Sequence, residues 1–165
     1  MSQSATSDFL ATQIIVGKHI VTGMSDGDSF ALTWDTPTFE LRLGNRGLTS
    51  RFKRFTRSAT ISLTMLETSD DNDIFSAFWT ADYFTPGGLM TTFSMADSNG
   101  RTVLTAPLGA WFTQLPDVTI GDGTGQRVWT MQTALIEGVV GGKAATPLID
   151  INSIPETLPA IPQAA

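Results

Sequence analysis

The chain is 165 residues long, with 10 Lys+Arg against 16 Asp+Glu for a net charge of −6, one His and no Cys. That length suits a single domain able to bury roughly 70% of the surface its unfolded chain exposes, so no covalent staple is required. The missing cysteine excludes a disulfide scaffold, a thiolate zinc site, an iron–sulfur cluster and a cysteine nucleophile, and fits a reducing compartment.

The dominant hydrophobic period is two. Residues 13–22, rich in Ile and Val, read as a strand, and residues 23–28, with Asp26-Gly27, as a hairpin turn into Ser29. Phe30, Leu32 and Trp34 alternate with Ser29, Ala31 and Thr33, and Phe39, Leu41 and Leu43 alternate with Glu40 and Arg42, so both segments read as half-buried strands around an Asp35-Thr36-Pro37-Thr38 turn. From residue 60 the alternation is cleanest: Ile61, Leu63 and Met65 on one face, Thr60, Ser62 and Thr64 on the other. One helix follows. Ser69 or Asp70 caps it, Asp70, Asp71 and Asp73 complement the positive end of its dipole, and Ile74, Phe75, Phe78 and Trp79 form its apolar stripe up to Pro86-Gly87-Gly88.

Segments 89–95 and 102–106 flank Asp97-Ser98-Asn99-Gly100, a strong hairpin signal. A strand at 110–113, a turn-rich stretch at 116–125 and a long strand at 128–140 complete the pattern. The expected fold is mainly β: an antiparallel sandwich or barrel with one flanking helix. Residues 1–142 are expected to form a single domain, and residues 143–165, broken by Pro147, Pro155, Pro159 and Pro162, an extended arm.

Sites of familiar chemistry do not emerge. His19 lies in a predicted strand with no acid near it in sequence, which points to a structural role. Counted from Asp70, the Gly and Glu required at positions six and twelve of an EF-hand loop are Phe75 and Ala81, so the acidic run reads as helix capping. The Gly-Gly-Lys at 141–143 lacks phosphate-loop spacing, and Ala144 replaces the Ser or Thr. No carboxylate pair is signalled. The expectation is a non-enzyme without cofactor or metal. Residues 1–10 carry no basic start, and no stretch approaches the roughly 20 apolar residues of a membrane span, so a soluble intracellular chain with no membrane association of its own is expected.

Charge supplies the sharper signal. Charged residues are 16% of the chain, against roughly 25% in ordinary domains, and 24 Thr fill the polar quota. Such a surface implies that part of it is shared with other subunits. Half of the positive charge, Arg46, Arg51, Lys53, Arg54 and Arg57, falls in twelve residues without an acid, interleaved with Phe52 and Phe55, so the rest of the chain carries 5 − 16 = −11. Between two strands this segment reads as a long loop, and loops of that length are usually functional or disordered. Three readings remain open: a solvated loop, a nucleic-acid-binding module, and a head-to-tail contact with an acidic face of the next copy.

Residues 20–30, Leu43-Gly44-Asn45-Arg46-Gly47, and residues 60–68 followed by Ser69-Asp70-Asp71-Asn72-Asp73-Ile74 resemble the tail tube proteins of contractile-tailed bacteriophages. Asp97 to Arg101, Ala110-Trp111, Pro116-Asp117, Trp129 and Gly141-Gly142 fall in the same order, so the resemblance spans residues 16–142. Two departures stand out: an acidic residue is common in that family where this chain has Arg46, and the Pro-rich tail has no counterpart. The resemblance implies a β-sandwich with a flanking helix and a homo-hexameric ring whose strands join one continuous inner β-barrel. It also implies stacking into a tube, with tail sheath protein outside and tape measure protein and genomic DNA in the lumen. The expected location is then the virion tail, with the host cytoplasm during assembly; a tube of a secretion or bacteriocin injection machine is the related alternative. On this reading residues 46–57 bridge rings, and Ser29, Thr33, Glu40, Thr60, Ser62, Thr64, Thr130 and Gln132 are candidates to line the channel, whose wall must carry little positive charge if DNA is to pass.

Overall fold

A computed structural model describes residues 12–97, 101–123 and 125–141. The expected arm at 143–165 and the turn around Asn99 lie outside the described residues. In chain order the elements are β1 (Thr12–Val16), β2 (His19–Ile20), β3 (Phe30–Trp34), β4 (Phe39–Leu43), β5 (Thr49–Lys53) and β6 (Ala59–Leu66). They continue with α1 (Asp71–Phe84), β7 (Thr91–Asp97), β8 (Thr102–Phe112), β9 (Gln126–Thr133) and β10 (Glu137–Val139).

Eight strands form one sheet in the order β2-β1-β7-β8-β9-β6-β3, with β10 added on β8, and every pairing between these strands is antiparallel. The sheet is mainly-β architecture with one helix, as expected. Among the described residues it does not close on itself, because β2 and β3 lie at opposite ends of the order and do not pair with each other. Instead it folds over. The first part of β8 pairs with β10 through Val103, Leu104 and Thr105, and the last part with β9 through Ala110, Trp111 and Phe112. Gly109 sits between them at φ 88°, where a side chain would be strained. The fold-over brings Phe30 of β3 against Phe93 of β7 as stacked rings 6.2 Å apart, although three strands separate them in the sheet order.

The core fills the space between the two layers. Ile14 and Val16 of β1, Ile61, Leu63 and Met65 of β6, Phe93 and Met95 of β7 and Met131 of β9 are all buried. The period-two reading of β6 holds residue by residue, with its inward positions fully buried. The α1 helix closes one end of this core. Its Phe75 meets Phe112 at 5.0 Å and Trp129 at 5.6 Å, and those two rings lie 5.2 Å apart. Phe78 and Trp79 of the expected stripe pack at the margin.

Several boundaries differ from the sequence reading. Residues 13–22 are a hairpin of β1 and β2, not one strand, because Gly17 at φ 67° turns the chain and pairs Val16 with His19. Segments 102–106 and 110–113 merge into the bent β8, and the long strand at 128–140 breaks between β9 and β10, where Ile136 donates its amide to the Arg57 carbonyl. The helix start is held by Ser69, whose Oγ accepts the Asp71 amide at 3.2 Å, while Asp70 makes no side-chain cap.

Candidate functional site

The segment of residues 46–57 is not a loop. Thr49-Ser50-Arg51-Phe52-Lys53 is β5, and it pairs with β4 as a two-stranded sheet of its own, with Leu43 opposite Thr49 and Phe39 opposite Lys53. The β4 side chains are therefore not half-buried against the core: Leu41 is 69% exposed, and beyond β5 Phe55 is 88% exposed. In place of a core, Arg and Lys cations lie over the hairpin's own aromatics, which remain about half exposed or more. The Arg51 guanidinium lies 3.9 Å from the Phe39 ring centroid, that of Arg42 4.9 Å from Phe52, and the Lys53 ammonium 5.6 Å from Phe55. Arg54 bonds Glu40 at 3.0 Å, and its Nε is buried with no partner among the described residues. Arg46 stands exposed at the tip. A two-stranded ribbon with apolar side chains on both faces is marginal alone and is usually completed by something that packs on it.

The hairpin leaves the body at the Trp34/Ala59 end of β3 and β6, where Arg57 lies over the Trp34 ring at 5.9 Å. This end gathers Arg42, Arg46, Arg51, Lys53, Arg54 and Arg57, with Asp35 and Glu40 as its acids. Eight residues along β6, roughly 23 Å away, the charge reverses. Asp26 and Asp28 lie in the turn that bridges Met24 to Met65, Glu67 follows β6, and Asp70 and Asp73 open α1. Asp117 and Asp122 lie in the segment entering β9, whose Gln126 pairs with Leu66. Arg127 is the cation there, and it is held by Glu67 at 2.7 Å and by the Asp117 carbonyl at 3.3 Å.

Six of the channel-lining candidates share one sheet face. Register places Thr33, Thr60 and Gln132 in one row, Ser62 and Thr130 with Ala31 in the next, and Thr64 opposite Val128. The face is uncharged. Ser29 falls at the end of this face, its carbonyl accepting the Thr64 amide, but it is buried, with no partner for its Oγ among the described residues, and so is not an exposed wall position in the single chain. Glu40 does not belong to the face, because β4 is outside the main sheet and the carboxylate is tied to Arg54. The acid that does border the face is Asp35, which accepts the Thr60 hydroxyl at 2.8 Å; its place in a turn gave no periodic signal.

His19 has an acidic partner that its sequence neighbourhood does not reveal. Its Nε2 meets Asp71 Oδ1, and the other carboxylate oxygen accepts the Gly23 amide at 2.7 Å, the Thr22 amide at 3.2 Å and the Ser69 hydroxyl at 3.1 Å. Asp71 is only 3% exposed. Burial pushes its carboxyl up, but the bonds from His19, Gly23, Thr22 and Ser69 outweigh that and hold it below the usual carboxylate range. The arrangement ties the segment after β2 to the start of α1. Among the described residues no three His, Asp or Glu side chains converge as a cation site would need, and no helix is long and apolar enough to cross a membrane.

No protein-family model matches this chain, and no curated protein matches it in sequence. Solved structures do match. The cap terminating the tube of the anti-feeding prophage superposes with a TM-score of 0.58 at 9% identity, over 86% of this chain and 95% of that one. The sheath/tube terminator of the PVC extracellular contractile injection system gives 0.57 at 12% identity, over 84% of this chain and 100% of that one. A chain of the PVC sheath–tube complex gives 0.54 at 12%, over 78% and 88%. The β-sandwich with a flanking helix implied by the sequence resemblance is thus found, and the chain shares its fold with tube-terminating and sheath–tube components of contractile injection systems.

Proposed function

We propose that the chain is a structural, non-enzymatic subunit of a contractile tail, forming hexameric rings that stack into the inner tube. The segregation of charge along β6 carries this reading: a basic, apolar hairpin at one end of the subunit and an acidic surface at the other are complementary only between copies placed head to tail. Such heterologous contacts propagate into stacks. The uncharged face of Thr33, Thr60, Ser62, Thr64, Thr130 and Gln132 would form the channel wall as adjacent sheets join, and joining would also cover the free edges of β2 and β3. Sheath protein would lie outside, with tape measure protein and genomic DNA in the lumen, so the working location is the virion tail. A tube of an injection machine differs in cargo, not in these contacts.

A second reading has its own support. The two terminator structures match this chain over 95% and 100% of their lengths, which favours a ring that ends the tube.

Electron microscopy of the purified chain tests both. Six-fold rings that grow into tubes are expected for the tube subunit, and rings that add to preformed tube ends without growing support the terminator. A strictly monomeric chain under assembly conditions would overturn both. Within the tube reading, Arg46→Glu with Lys53→Glu should leave folded subunits that no longer stack. Arg54 is unsuitable for this test, since its loss strands Glu40 within the hairpin. Salt-sensitive DNA binding by the monomer, lost in the same variant, would instead favour the nucleic-acid module.

A further inference from the structure

An apolar groove of about 550 Å³ opens beside α1, lined by Gly17, Lys18, Ile74, Phe78, Leu89 and Met90 among others. It is shallow and open to solvent, an apolar surface and not an enclosed cavity. Leu89 and Met90 are 46% and 61% exposed. Beside the groove runs β2, the terminal strand of the sheet. A groove next to a strand edge suits an extended peptide, which can bond the edge and insert alternate side chains.

We propose that the occupant is the segment of residues 147–161 of the same chain. Reach selects it. Thr12 pairs with Asp97, at the end of β7 away from the groove. Phe9 and Leu10 therefore extend no more than about 10 Å from Thr12, while the groove begins at Gly17, about 17 Å along β1. Those two side chains cannot arrive, and of the amino-terminal apolar side chains larger than Ala only Met1 has the reach. At the carboxy-terminal side, the Gly141 amide donates to Thr102 Oγ1 at 3.1 Å, and Thr102 is opposite Asp97. From there the groove is about 20 Å along β7, and because β10 heads away from it the chain must turn back first, so extended chain covers the span from about residue 150 onward. Ile149, Ile151, Ile154 and Leu158 then offer apolar side chains to the groove. The only charges in residues 147–161 are Asp150 and Glu156, which complement the exposed Lys18 at the rim. Pro147, Pro155 and Pro159 restrict the free segment and so reduce the entropy lost on docking.

The natural absence of cysteine makes a clean test available. In the full-length chain Met90→Cys is combined in turn with Ile149→Cys, Ile151→Cys, Ile154→Cys or Leu158→Cys and oxidised under dilute conditions. A disulfide requires Cα atoms within roughly 7 Å. The paired strands β7 and β8 supply the positive control, Ala96→Cys with Val103→Cys. The proposal expects an intramolecular disulfide at one or two tail positions, as complete as the control, and its loss when Phe78→Asp is added. No disulfide at any of the four positions while the control closes would overturn it. Disulfides found only between copies would also overturn it, because the occupant would then be a neighbour's tail.

Discussion

At Asp71 one buried carboxylate replaces what would otherwise be three separate problems. The amides of Thr22 and Gly23 leave the sheet without strand partners, Ser69 must orient to cap α1, and His19 must bury one ring nitrogen. Hydrogen bonds to a charged acceptor contribute about 1.5–3 kcal/mol each, but they share one ordering cost, so Asp71→Asn is expected to lose about 2–3 kcal/mol in total. The pH dependence follows from the sign of the shift. A carboxyl held below its ordinary 3.8 in the folded state contributes fully above that value and loses its contribution as pH falls through the folded one. Urea midpoints should therefore drop below about pH 4 in the parent chain, and the Asn variant should start lower and show a flatter acid limb. An unchanged acid limb in the variant would remove Asp71 from this role. None of this is visible locally in the sequence: His19 and Asp71 are 52 residues apart, and only the docking of α1 against the β1–β2 turn joins them.

Among the elements, legibility followed burial. β6 reads correctly because one face meets the core and the other does not, so hydrophobic alternation records the geometry directly. β5 is missed because nothing buries it: Thr49-Ser50-Arg51-Phe52-Lys53 has no apolar face to show, and it is a strand only through its pairing with β4. The same fact reverses the reading of Glu40, whose apolar neighbours face outward. β8 looks like two strands because Pro107 and Gly109 interrupt its pattern, yet both halves belong to one strand that turns between layers. That bend is testable. A Cβ on Gly109 would sit 2.8 Å from Met90 Cβ, at a φ that side chains rarely adopt. Gly109→Ala is therefore expected to cost about 2 kcal/mol in chemical denaturation. A neutral result would show that the fold-over does not depend on this residue.

For the whole molecule the decisive quantity is the arrangement of charge, not its total. Within a single copy the two charged ends sit roughly 23 Å apart along β6, more than two Debye lengths of about 8 Å at physiological salt, so they scarcely attract each other. Between stacked copies they come into contact. Each exposed ion pair contributes only about 0.2–1 kcal/mol, and its effect comes from repetition around a ring, together with the apolar side chains of the hairpin. Raising salt to about 1 M, where the Debye length is near 3 Å, should weaken stacking while leaving subunit stability nearly unchanged. Reversal of either end alone, Arg46→Glu with Lys53→Glu or Asp26→Lys with Asp28→Lys, should stop growth as seen by light scattering. A chain carrying all four substitutions again opposes acids to bases at the exchanged positions, although the hairpin end is then net neutral (+4 to 0) and the other end still acidic (−6 to −2), and should recover stacking in part. If the four-fold variant stays dispersed while remaining folded, the charges act on something other than the next copy, and the head-to-tail contact fails. If it recovers, the recovery cannot come from the hairpin's apolar surface, which is the same in every variant, and the pairing of the two charged ends is what sets the direction of the stack.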